Sequence, residues 1–454
     1  MTPFIGPTYN LLSRPASVQR TVNLIPVPLE PGNERTQFVF KDVPGRALFA
    51  SMGAEVRGGI NINGRVFVAA GSTLYEVYSD GTKTSRGTLA TSTGLVEFTA
   101  NTVQLVFSDQ TSLYVYTLAS NTLATASGYP GGARIAYVDQ YILYLIGGTQ
   151  EFGWSVLGDA SNLDPLNFAS AEGSPDNLVS MVVDHREVWL LGINSVEVWA
   201  DTGTSAVFQR NPSAFLEIGC AAAQSAQKLD NSVFWLGQDE RGGGIVWRAQ
   251  GYTPQRISTR AIEEHLTGLD LSAARAFTYQ QNGSSFYVLT VPGLSTSLVY
   301  DCMSQMWHER TDLVDGNYSL PAINCHVYAF NKTLVGGSDG NLYQLDQAVS
   351  SNNGASLVRD RIAPVLSTPD HKLLKFPDVE FIGDKGQGGK ALLRWSDDNG
   401  ANWSSWHEAS LGALGRFQQR TRWHMLGSSR DRVFHLRCTD NVSFNPVDLH
   451  IRAG

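Results

Sequence analysis

Two carboxylates facing each other across a cleft are the minimum equipment for glycoside hydrolysis. The chain offers Glu197, Asp239, Glu240 and Asp301, but no spacing groups them. Separate surface carboxylates are the expectation. The nine histidines include no His-x-His and no His-Glu-x-x-His, so no zinc-ligand pair is indicated. His424, His435 and His450 fall on C-terminal strands, where packing or surface positions are expected. Gly242-Gly-Gly244 has no following Lys-Ser/Thr and no helix, so it is not a phosphate loop. Gly-x-Ser-x-Gly does not occur. The four cysteines, Cys220, Cys302, Cys325 and Cys438, form no Cys-x-x-Cys pair and read as reduced, mostly buried thiols. No catalytic residue, no cofactor-binding residue and no metal ligand emerges from these patterns.

Ser396-Asp-Asp-Asn-Gly-Ala-Asn-Trp403 has the form of the Asp-box turn of sialidases. That turn is a hairpin element remote from sialidase active sites, and a tight hairpin favours Asn-Gly at its centre in any case. A sialidase also needs several arginines on one substrate carboxylate, and Arg134, Arg186 and Arg248 carry no such signature. Trp395, Trp403 and Trp406 read as exposed. They keep open a second reading, a propeller-type carbohydrate enzyme or lectin with a sugar-binding C-terminal sandwich.

The elements that must position these residues follow from a repeat. A strand–turn–strand phrase ends on an aromatic seven times, at Tyr75, Tyr114, Trp154, Trp199, Trp247, Tyr300 and Tyr343. The intervals are 39, 40, 45, 48, 53 and 43 residues, each the length of a four-stranded propeller blade. Apolar runs such as Gln140-Tyr-Ile-Leu-Tyr-Leu-Ile146 and Ser232-Val-Phe-Trp-Leu236 precede the aromatic phrases. Strands buried on both faces need not alternate. Arg260-Ala-Ile-Glu-Glu-His-Leu266, with Thr259 as N-cap, predicts a short helix inserted between blades.

Three regions result. Residues 1–50 are Pro-rich (Pro26, Pro28, Pro31-Gly32, Pro44-Gly45) and read as an extended arm along the body or a neighbour. The arm also offers a closing strand for the ring. Residues 51–350 form a β-propeller of about seven irregular blades. A polar Ser350–Gly354 linker leads to a β-sandwich over 355–454, where Arg432–Cys438 and Val447–Arg452 alternate apolar and polar residues. The fold class is all-β.

Charged residues are only 17% of 454, and the net charge is −8. No basic run exists to hold a phosphate backbone, so DNA binding through clustered cations is not expected. The N-terminus lacks the charged and apolar regions of a signal peptide, and no run approaches a membrane span, so membrane insertion is not expected either.

One stretch is more specific than a generic blade. It runs Phe152-Gly-Trp154, Asp159, Asp164-Pro-Leu-Asn-Phe168-Ala-Ser-Ala-Glu172 and Pro175-Asp176, then Gly192-Ile-Asn-Ser195-Val-Glu197-Val-Trp199 and Glu217-Ile-Gly219. It resembles the packaged-DNA stabilisation proteins of short-tailed phages, the tail-hub or nozzle family. Asn23-Leu-Ile-Pro26 with Val43-Pro-Gly45 resembles that family's N-terminal arm, and Asp398–Trp403, Arg422-Trp423 and Phe434-His-Leu-Arg437 resemble its distal sandwich. The resemblance implies a non-enzymatic virion tail protein assembled in the host cytoplasm. It implies a homohexameric ring below the portal and the head-to-tail adaptor proteins, extending the DNA channel and retaining the genome. Tail spikes, fibres or a tail needle would be its other partners. Genomic DNA would pass through the lumen without sequence-specific binding, and no cofactor is implied.

Overall fold

The computed structural model describes residues 4–30, 36–238 and 243–454. Pro31 and Gly32 lie outside the described residues.

Seven four-stranded antiparallel sheets follow one another. They span residues 56–88, 97–125, 135–170, 178–216, 227–256 and 275–310, and the seventh takes its first three strands from 323–346. Its fourth strand is Gly45–Ser51, which pairs antiparallel with Asn341–Asp346. The N-terminal segment therefore closes the ring, and the first strand of each blade lies beside the first strand of the next. The tight turn between first and second strands sets the twist. In six blades it has two residues at positive φ, such as Asn63/Gly64, His185/Arg186 and Asn282/Gly283. Such paired left-handed positions match the right-handed twist of the flanking strands.

Each of the seven repeat aromatics sits on the third strand of its blade. Several bridge to a neighbouring blade. Trp199 meets Phe152 at 5.4 Å, Trp154 meets Phe208 at 5.2 Å, and the Tyr114 hydroxyl accepts the Ala90 N–H at 2.7 Å. The second strands are buried on both faces. The Arg260–Leu266 helix stands between blades five and six, and Thr259 accepts from the Ile262 N–H.

The Pro-rich segment is extended, as its prolines require, but it is paired rather than irregular. Val18–Val22 lies between Met306–Arg310, the outer strand of blade six, and Arg359–Ile362 of the sandwich. One ten-stranded sheet thus runs from blade six through the N-terminal strand to Val433–Cys438, Lys390–Ser396 and His407–Ser410. Leu24–Pro28 and Phe38–Asp42 form a hairpin. Phe4, Ile5, Leu24 and Phe40 are buried in the sandwich core with Phe381, Leu393, Phe434 and Phe444. The Ser350–Gly354 linker is likewise a small hairpin, Ser351–Asn352 with Ala355–Ser356, seated against Gly45–Ser51.

Val433–Cys438 does not alternate, because both of its faces are covered. One face meets the apolar core and the other a polar seam. In that seam Asp360 accepts from His435 Nε2 at 3.0 Å, Arg437 Nε at 2.7 Å and the Tyr318 hydroxyl. Burial alone would push the Asp360 carboxyl up, but His435 and Arg437 outweigh it and hold it well below the usual carboxylate range.

Candidate functional site

The residues of the 152–219 stretch come together, and what they build is a set of loop locks at blades three and four. Asp176 Oδ2 accepts the backbone N–H of Asn194 at 2.6 Å and of Ser195 at 3.1 Å, and Oδ1 accepts the Ser195 hydroxyl at 2.9 Å. A Cβ on Gly192 would stand 2.4 Å from Asp176 Oδ2, so the lock requires glycine there. Glu197 accepts Trp199 Nε1–H at 2.8 Å and the Gly173 N–H at 2.5 Å, and a Cβ on Gly173 would stand 2.3 Å from its Oε1. Asp159 Oδ1 accepts from Gln104 Nε2 at 2.7 Å, while the Gln104 carbonyl oxygen accepts the Ala160 N–H at 3.0 Å. A carboxylate on backbone N–H groups replaces the water a loop would otherwise need.

The candidate acids do not converge. Glu197 is spent in its lock on blade four. Asp301, on blade six, is buried and accepts from Met303 N at 3.0 Å and Ser304 Oγ at 2.8 Å. Asp239, Glu240 and Gly242 lie outside the described residues. Arg186 pairs with Asp139 at 2.9 Å and Arg248 with Asp230 at 2.8 Å, on different blades. His435 is buried in the seam, whereas His424 and His450 are exposed. The four cysteines are free thiols, and burial pushes Cys302 and Cys325 up to about 12.

The Asp-box-like turn closes on itself. Asp398 Oδ1 accepts the Asn402 N–H at 2.8 Å and the Ser396 hydroxyl at 2.7 Å, and Asn399 and Gly400 both have positive φ. The Asn402 N–H and the Ser396 hydroxyl bring the Asp398 carboxyl down to about 2. The three tryptophans are half-buried, and their ring faces are engaged. The Arg394 guanidinium lies 4.7 Å from Trp403 and 4.3 Å from Trp406, Arg437 lies 4.9 Å from Trp406, and Trp395 stacks on His407 at 4.8 Å. A sugar platform needs a free aromatic face, and cation–π pairing takes these.

Sequence patterns missed the tie at the propeller axis. Arg134, just before the first strand of blade three, donates to Glu97 at 3.2 Å, Gln224 Oε1 at 3.1 Å, the Ala226 carbonyl at 3.1 Å and the Met181 carbonyl at 3.4 Å. Blades two, three, four and five are thereby joined through one guanidinium. Glu55 and Asn324 meet at 2.9 Å beside blades one and seven. This end of the axis is a polar knot.

The class is defined by these features: a seven-bladed propeller sharing a sheet with a β-sandwich, its motif carboxylates committed to locking loops. The chain belongs to the family of the phage protein that stabilises packaged DNA, with residues 18–350 matching the model described as "Bacteriophage P22 Gp10, beta-propeller" and 360–454 the one described as "Bacteriophage P22 Gp10, beta-sandwich". It is accordingly a structural protein of a phage virion. No curated protein matches it in sequence. Similar solved structures include the computationally designed protein Ika8, at 16% identity and TM-score 0.41, covering 72% of this chain and 99% of that one. The N-terminal domain of Nup159 is similar at 10% identity and TM-score 0.43, covering 73% and 99%. The Pan2 WD40 domain of Neurospora crassa is similar at 9% identity and TM-score 0.43, covering 67% and 95%.

Proposed function

We propose that the chain is the repeating unit of a hexameric tail hub below the portal and head-to-tail adaptor of a short-tailed phage. The ring extends the DNA channel, retains the packaged genome and anchors spikes, fibres or a needle. It performs no catalysis. The observation that carries this reading is the family match over both the propeller and the sandwich.

Two physical features support it. Arg134 knots one end of the propeller axis, so the conduit in this reading lies between copies and not through each propeller. The net charge of −8 suits a wall past which DNA moves, since clustered cations would hold phosphates by counterion release.

Mass photometry of the purified protein, alone and with its adaptor ring, tests the proposal. A species of six chains of 49.4 kDa, formed alone or on the adaptor, is expected. A monomer that persists with the adaptor present overturns it.

A further inference from the structure

A recess of about 950 Å³ opens at the other end of the propeller axis, on the face of the two-residue turns. Its wall comes from the first strands of blades five, six and seven, where the period of two turns Lys228, then Thr278 and Gln280, then His326 and Tyr328 to one side. The volume is that of a small-molecule site.

The chemistry of the lining is selective. Its charges are already answered: Lys228 pairs with Asp184 at 2.8 Å, and Asp230 with Arg248 at 2.8 Å. The neutral groups are not. The exposed side-chain amides of Asn231 and Gln280 have no hydrogen-bond partner among the described residues. Burial brings His326 down to about 4, so the ring is neutral at physiological pH and adds no charge to the recess. The Tyr328 side chain stands on the same wall and is 58% exposed, and its backbone carbonyl is held by Asn61 at 2.9 Å.

We propose that this recess binds a neutral saccharide, with Tyr328 as the stacking face and Gln280 and Asn231 as hydroxyl partners. An aromatic face with amides on the two preceding blades pairs with the C–H faces and hydroxyls of a sugar. A phosphate or a charged peptide finds no unpaired countercharge in the described lining. This goes beyond the tail-hub reading and stands apart from the sandwich tryptophans, whose faces are engaged.

The test is saturation-transfer NMR and calorimetry on the full chain with four neutral trisaccharides: maltotriose, cellotriose, mannotriose and N,N′,N″-triacetylchitotriose. A sialyllactose and a Gly/Ser decapeptide run beside them. Saturation transfer to at least one neutral trisaccharide is expected. Tyr328→Ala and Gln280→Ala should each weaken it at least tenfold, while Leu414→Ala on the sandwich surface leaves it unchanged. Both tested side chains are exposed, and circular dichroism checks that the variants fold. No transfer to any neutral trisaccharide, transfer undiminished in both recess variants, or transfer to the peptide alone overturns the proposal.

Discussion

The Arg20 guanidinium and the Glu309 carboxylate meet where the N-terminal strand joins blade six, with Nε 3.0 Å from Oε1 and a second contact from Nη2 to Oε2. Thr296 donates to Oε2 at 2.8 Å. Val22 pairs in parallel with Glu309 along the same edge, while Arg20 pairs with Ile362 of the sandwich. The ion pair therefore sits on the strand that joins the two halves of the molecule.

Removing one partner of a buried pair leaves the other charge without compensation. Arg20→Ala should cost about 3 kcal/mol, read as a lower midpoint in chemical denaturation. Burial alone would raise the Glu309 carboxyl, yet Arg20 outweighs it and holds it below its usual range. An unchanged midpoint would show that the strand pairing alone holds the joint.

The loop lock at Asp176 should be worth more than any single bond within it. Asp176→Ala strands two backbone N–H groups and the Ser195 hydroxyl, a loss of about 2 kcal/mol, whereas Ser195→Ala should cost about 1 kcal/mol. Limited proteolysis near residues 174–195 should quicken in the first variant and change little in the second. Equal effects would mean that the backbone bonds contribute nothing.

His308 is fully buried, and neither ring nitrogen has a partner. Burial, reinforced by Arg310, holds its pKa well below the ordinary value, so the folded state keeps it neutral. Below about pH 6.5 the unfolded chain takes up a proton that the folded chain refuses, and stability falls as pH falls. His308→Leu should remove this part of the acid sensitivity and leave stability at pH 8 equal or higher, because it deletes two unsatisfied polar atoms. Thermal melts at pH 8 and pH 5 measure both effects. An undiminished melting-temperature gap between the two pH values would count against it.

Phe40 belongs to the N-terminal hairpin but is buried in the sandwich core, edge-on to Phe4 at 6.2 Å. Phe40→Ala should cost about 4 kcal/mol, as a large core truncation does. Hydrogen exchange should quicken in Val433–Cys438 and Asp378–Gly383 while the Arg65–Ala70 strand stays protected. Exchange that quickens uniformly would mean that the two halves unfold as one.

The blades were legible because they reuse one physical solution: a tight turn, left-handed in six of them, a second strand buried on both faces, and a third-strand aromatic that in several blades closes on a neighbour. Tyr114 and Trp199 show the last of these directly. The joint was not legible. Arg359, Asp360 and Arg361 are three consecutive charged residues, and all three side chains are buried. Their partners arrive from distant segments: the Phe4 carbonyl at 2.7 Å and Thr21 Oγ1 at 2.9 Å for Arg361, Arg437 at 2.7 Å for Asp360, and the Val442 carbonyl at 2.6 Å for Arg359. Arg134 escaped for the same reason, since its acceptors come from blades two, four and five. The motif residues stood out through the family resemblance, but their service as loop locks needed coordinates. Gly192 and Gly173 are glycines because a carboxylate oxygen occupies the space of a Cβ.

Cryo-electron microscopy of virions carrying this chain tests the central claim most directly. A sixfold ring of propeller-and-sandwich densities below the portal and adaptor, with genomic DNA running between the copies and each propeller axis closed at Arg134, is the result expected. DNA density threading a propeller axis, or a tail without this chain, would contradict it.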